Sequence, residues 1–194
     1  METLTIETLK QLKTKYQIDS SIGVNHGIIL DYKLSDRLLN DKIYDFNVFL
    51  PKYNRNLQRE YVWNKQQQQD FIFSLLQEKK IEPIITIRHS FDMEDKNYVF
   101  QIIDGKQRLL TIKKFLNNEF SITINDNKYK YKNFDKNTKF FFCRQINSLT
   151  ANVYYSDMSN AISDEDKIKL FVFYNFTGTP QMENFKSQLL KIIS

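Results

Sequence analysis

Residues 98–110 read Tyr98-Val99-Phe100-Gln101-Ile102-Ile103-Asp104-Gly105-Lys106-Gln107-Arg108-Leu109-Leu110. The near-continuous apolar run from Tyr98 to Ile103 predicts a strand buried on both faces. It stops at Asp104, Gly105 permits a tight turn, and a helix is expected from about 106 to 117, with Leu109, Ile112 and Leu116 on its core side. The first amides of a helix have no internal acceptors and lie at the positive end of its dipole. Such an end suits an anion. Lys106 and Arg108 add charge there, and a guanidinium can chelate phosphate oxygens through two parallel bonds. Asp104 is placed to cap the helix, to hold Arg108, or to ligate a metal carried by a nucleotide. A plain turn with solvated basic side chains fits the same residues, and the residues alone leave both readings open.

On the N-terminal side, Leu4 to Tyr16 reads as a short helix and residues 17–42 as an irregular lead-in. Asp45 to Tyr53 looks extended, ending at Pro51. Residues 54–64 are rich in hydrogen-bonding and aromatic groups, and Asn64 is a good N-cap. The next helix is expected over about 65–79, with Phe71, Ile72, Leu75 and Leu76 on one face. Its glutamine run, 66–69, reads as a solvated helix start. Pro83 leads into the β-rich Ile84-Ile85-Thr86-Ile87, and 92–95 reads as a hairpin loop. On the C-terminal side, the alternation at 120–124, the turn at Asn125-Asp126-Asn127 and the return through Tyr129 and Tyr131 predict a hairpin. A helix over 135–146, a strand over 149–155 and helices over 164–175 and 181–193 complete the chain. Ser163 is the expected cap of the third of these elements. Strands and helices interleave without a regular βαβ rhythm, so the expected class is α+β, a small mixed sheet flanked by helices. Residues 1–40 form the lead-in and 41–194 the main domain.

Composition narrows the chemistry. The 194 residues hold four glycines, three prolines, one cysteine and two histidines. One cysteine excludes an internal disulfide and a multi-cysteine zinc site. His26 and His89 cannot build a His-rich metal centre alone. Neither glycine-rich phosphate-loop pattern occurs. A net charge of +5 permits a phosphate-bearing partner without demanding one. No apolar run reaches the roughly 20 residues of a membrane helix, and the first residues lack a signal-peptide pattern. The expectation is a cytoplasmic protein with no membrane partner.

Three blocks carry a family resemblance. Asp104-Gly105-Lys106-Gln107-Arg108 resembles the Asp-Gly-Gln-Gln-Arg signature of the GmrSD-type restriction endonuclease N-terminal domain family. Leu57-Gln58-Arg59-Glu60-Tyr61-Val62-Trp63 resembles that family's aromatic-Gln-Arg-x-Tyr-Val-Trp stretch. Phe171, Asn175, Gly178 and Pro180 resemble its Phe-x-x-x-Asn-x-x-Gly-x-Pro segment. The blocks span roughly residues 45–185. Two departures stand out: Lys106 replaces the first glutamine of the signature, and Gln181 a frequent leucine. The resemblance implies a fold similar to ParB nucleases and sulfiredoxins, in which a Gly-x-x-Arg turn at a helix start contacts nucleotide phosphates. By that implication Asp104, Gly105, Lys106, Gln107 and Arg108 form a nucleotide site. Arg59 and Gln58 face it, and Asn175 and Gly178 border it.

The function implied is binding of a nucleoside triphosphate and its Mg²⁺-dependent hydrolysis. Arg108 and the amides after Gly105 would hold phosphates, Arg59 would neutralise developing charge, and Asp104 would position metal or water. The setting would be DNA restriction, phage defence or counter-defence, with DNA or a separate nuclease subunit as further partners. One alternative is a non-enzymatic, nucleotide-switched module that binds DNA or a partner. Another is a ParB-like nuclease that nicks DNA directly. His26 and His89 do not supply the second, His-containing nuclease motif of the full restriction enzymes. Glu94-Asp95-Lys96 and Glu165-Asp166-Lys167 fit a metal-nuclease string but read as solvated charge. Cys143, among Phe140, Phe141 and Phe142, reads as a core thiol. Trp63 and Tyr61 read as packing residues supporting the Arg59 loop rather than as a base-stacking platform, and Arg55 stays outside the site.

Overall fold

A computed structural model of the chain describes residues 22–31, 33–39, 44–88, 100–156, 162–175, 187–189 and 191. The expected helix at 4–16, the acidic hairpin loop at 92–95, Gly178 and most of 181–193 lie outside these residues.

Five strands form the main sheet: β1 (Ile22–Ile29), β2 (Tyr44–Asp45), β5 (Ile84–Arg88), β6 (Phe100–Asp104) and β9 (Thr150–Ser156). Their order is β1-β9-β5-β6-β2. The pairs β1/β9 and β5/β6 are antiparallel, while β9/β5 and β6/β2 are parallel. The sheet is therefore mixed, in line with the α+β expectation. Two small ribbons accompany it: β3 (Phe49–Leu50) with β4 (Arg55–Asn56), and β7 (Ile122–Ile124) with β8 (Asn127–Tyr129). The second is the predicted hairpin, and its turn residues Asn125 and Asp126 both have positive φ, the backbone that a tight two-residue hairpin turn demands.

Successive strand residues point to opposite faces, and the core divides accordingly. Ile84, Ile102, Ala151 and Val153 pack under α2 (Lys65–Leu76), α3 (Lys106–Leu116) and α4 (Lys136–Asn147), around the fully buried Phe115 and Phe142. Ile85, Ile87, Ile103 and Tyr154 pack on the other face against Val48, Leu50, Leu57 and α5 (Asp164–Asn175). The short α1 (Leu34–Arg37) joins the first cluster through Leu34. Side-chain caps start three of the helices, two of them at the residues the sequence marked, Asn64 and Ser163. Asn64 accepts from the Gln67 amide in a capping box, Asp135 from Thr138, and Ser163 Oγ from Asp166.

Four expectations need correction. Asp45 to Tyr53 is not extended throughout: an Asx turn at Asp45, Val48 at φ 51° and a helical turn at Pro51–Tyr53 interrupt it. The lead-in at 17–42 is not irregular throughout, because residues 22–29 are an edge strand of the main sheet. Its half-exposed burial pattern and Gly27 at φ 62° hid the period on which a sequence reading relies. The glutamine run is not merely solvated. Gln67 closes the capping box, Gln68 donates to Trp63 O (2.9 Å), and Gln69 accepts from the Thr123 amide (2.7 Å). Asp166 and Lys167 are buried rather than solvated, and the pairs Asp164–Lys167 and Asp166–Lys169 compensate them.

A candidate phosphate site at the end of strand β6

β2 and β6 run parallel, so their carboxyl ends lie side by side, and β5, antiparallel to β6, begins at the same rim. Loops beyond the carboxyl ends of parallel strands are where ligands of α/β sheets bind. Here that rim carries most of the residues singled out from sequence.

Gly105 makes the turn. Its φ is 104°, and a Cβ built on it would stand 2.5 Å from Ile84 Cδ1 and 3.3 Å from an Arg108 nitrogen. Only glycine meets both conditions. It is also the N-cap of α3, and no side chain caps that helix.

Arg108 and Asp104 pair one turn apart, Nη2 to Oδ2 at 2.8 Å. The guanidinium also donates to the carbonyls of Glu82 and Pro83, the latter at 3.4 Å. Arg108 thus fastens the first turn of α3 to the start of β5. Gln107 fastens the other side: its Oε1 accepts from the Val62 amide (2.9 Å) and, at 3.4 Å, from that of Trp63, while its Nε2 donates to Glu60 O (3.1 Å). The segment carrying Arg59 and Glu60 is consequently laid against the helix start. Trp63 packs edge-on against Phe71, and Tyr61 bonds Thr111 at 2.7 Å beneath Lys114. These contacts agree with the packing role expected of both rings. Arg59 itself is exposed.

Gln58 and Asn175 converge on the strand end. Gln58 Nε2 donates to the carbonyls of Ile102 and Ile103, both at 2.7 Å. Asn175 Nδ2 donates to the same Ile103 carbonyl at 3.2 Å and to Phe171 O at 3.0 Å. Residues 58, 104–108 and 175, far apart in sequence, meet at one strand end. Gln58 and Asn175 spend these donors on backbone, which holds the strand end in place.

Lys106 is the residue whose setting the sequence did not foretell. It is buried, 5% exposed, with Nζ 3.3 Å from Asn47 Oδ1. Burial pulls its pKa below the ordinary lysine value, and the charges of Glu60 and Asp45 only partly oppose this. Asp45 Oδ1 accepts the amides of Asn47 and Val48, an Asx turn that bends the loop toward the lysine. Its Oδ2 accepts from Gln101 Nε2 at 3.2 Å, leaving the buried Gln101 Oε1 without a partner. Val48 is fully buried at φ 51°, a strained backbone for a β-branched residue. Asp45, Asn47 and Val48 were missed because they are short-range turn residues with no motif. The one available signal was Asp45 two residues before an Asn.

Cys143 is half-buried with Sγ 3.3 Å from the Tyr131 hydroxyl, while its neighbour Phe140 is 74% exposed. The rim holds no protein-built metal centre: among the described residues no three His, Cys, Asp or Glu side chains group to hold an ion. Nor is any helix among them long and apolar enough to cross a membrane.

No curated protein and no solved structure matches the chain significantly. A family profile does, over residues 36–192, which take in all three sequence blocks and the whole rim. The chain belongs to the family of the GmrSD restriction endonuclease N-terminal domain.

Proposed function

We propose that this chain binds a nucleoside triphosphate at the carboxyl end of β6 and hydrolyses it, as the nucleotide-handling part of a DNA restriction or phage-defence system or of a counter to one. The convergence of residues 58, 104–108 and 175 on one strand end, around a helix start that no side chain caps, carries the proposal. The first amides of α3 and the positive end of its dipole receive phosphate oxygens. Lys106 supplies a cation at the first helical position, and the exposed Arg59 closes over the phosphates from the loop that Gln107 holds. Asp104, released from Arg108, orients the attacking water. Arg108, released in turn, takes a phosphate bidentately. Mg²⁺ belongs here to the substrate and arrives on the triphosphate, since Asp104 alone is not a metal centre. The fold is, by the same proposal, of the ParB/sulfiredoxin-like type, with β6, Gly105 and α3 as the shared strand–turn–helix.

A second reading has its own support. Asp104 and Arg108 satisfy each other, and a phosphate competing for the guanidinium would part them, which suits a switch that presents DNA or a nuclease partner with a new surface. The test is phosphate release from a panel of triphosphates with Mg²⁺, for wild type, Asp104→Ala and Arg108→Lys, alongside binding measured by calorimetry. The expected result is release by wild type that falls at least tenfold in both variants, with weaker binding in Arg108→Lys. Tight binding without release selects the switch. A wild-type protein that neither binds nor hydrolyses any triphosphate removes both readings.

A further inference from the structure

At the same rim, the C-terminal ends of α2 and α4, the residues leading into β5 and the first residue of β9 line a half-open cavity of about 300 Å³. That is the lower end of the roughly 300–1,000 Å³ typical of small-molecule sites. Leu75, Pro83 and Leu149 give it aliphatic walls. Gln145 also lines it, and its side-chain amide makes no hydrogen bond to another described residue. Lys79 and Lys80 also line it, and among the described residues neither is in an ion pair. Their position is fixed by the end of α2. Glu78 adopts φ 55°, its amide bonds Leu75 O (3.1 Å), and the Lys79 amide bonds Ser74 O (2.9 Å), the pattern that closes a helix through one left-handed residue.

Pro83 belongs to both places. It lines the cavity, and its carbonyl accepts from Arg108. Arg108, in the first turn of α3, is therefore linked to the cavity wall through Pro83. We propose that the cavity seats the base and sugar of the nucleotide whose phosphates lie at the start of α3, an inference that rests on the nucleotide reading above. Aliphatic walls receive the faces of a flat heterocycle. The Gln145 amide, donor and acceptor at once, reads its hydrogen-bonding edge. Lys79 and Lys80 bias the approach toward a polyanion.

The test is calorimetric titration with two probes, a nucleoside triphosphate and inorganic triphosphate, on wild type, Gln145→Ala and Ser148→Trp. The last variant puts a bulky ring at the cavity wall, and melting curves confirm that both variants fold. The expected result is that wild type binds the nucleotide at least about tenfold tighter than inorganic triphosphate. Both variants then bring the two affinities to within about threefold by weakening only the nucleotide. Three results overturn the inference while leaving the phosphate site in place: equal wild-type affinity for the two probes, a preference that survives both substitutions, or equal weakening of both probes. Binding of neither probe by wild type refutes the nucleotide reading itself, and this inference with it.

Discussion

Gly105 shows how narrowly one position is determined. A methyl group there meets Ile84 at 2.5 Å and adds a left-handed strain. Gly105→Ala is expected to cost about 2–4 kcal/mol, combining overpacking with an unfavourable φ, as read from urea denaturation midpoints. A cost below about 1 kcal/mol contradicts this account of the turn. Lys106 makes a prediction in pH. Its folded pKa lies below its unfolded one, so burying the ammonium costs stability at neutral pH. As pH rises between the two values, the unfolded chain holds more protons, and stability rises relative to a variant lacking the group. The stability of wild type minus that of Lys106→Met is therefore expected to increase through the alkaline range, and a difference flat in pH contradicts it. Asp104, Gly105 and Arg108 were legible as a unit because a strand, a glycine and a helix are each visible in residue type. The buried setting of Lys106 was not, since its partner Asn47 lies 59 positions away and only tertiary packing brings it there.

At the scale of elements, the loop at 58–63 is tied to α3 by one side chain. Gln107→Ala removes two acceptor contacts and one donor contact at once. The expected loss is about 1–3 kcal/mol, with hydrogen exchange at Val62 and Trp63 accelerated while the middle of α3 stays protected. Unchanged exchange at those two amides would show that the loop is held by other means. The turn at Pro51–Tyr53 is tied to α5 by Lys52 and Tyr53, which both bond Glu165. Lys52, first, and then the backbone amide and Tyr53 hold the Glu165 pKa down from 4.5 to about 2. Its contribution is complete above the unfolded value and lost as pH falls toward 2. The pair is exposed, so the effect is small. The melting temperatures of wild type and Glu165→Gln should converge between pH 4.5 and 2. Two helix starts were legible because caps are local: Asn64 and Ser163 each act within three residues. Strand β1 was not, because an edge strand with no buried residue carries little apolar period.

The whole molecule is a mixed sheet whose one rim gathers a buried lysine, an Asp–Arg pair, an uncapped helix start and a cavity. Its class could be read from interleaved strand and helix patterns, and Gln58, residues 104–108 and Asn175 from three short blocks, but Asp45, Asn47 and the cavity residues could not. Strand order could not, since β1 joins β9 across more than 120 residues and no local pattern encodes that pairing. The central claim is that the start of α3 is a phosphate site, and the most direct measurement follows the backbone amide resonances while a nucleoside triphosphate with Mg²⁺ is titrated in. A phosphate bound there shifts the amides of Lys106, Gln107 and Arg108 most and makes them saturate together, with the Arg108 side-chain resonance moving as its bond to Asp104 opens. Saturable binding that leaves those three amides unmoved, or no binding at all, would contradict that claim.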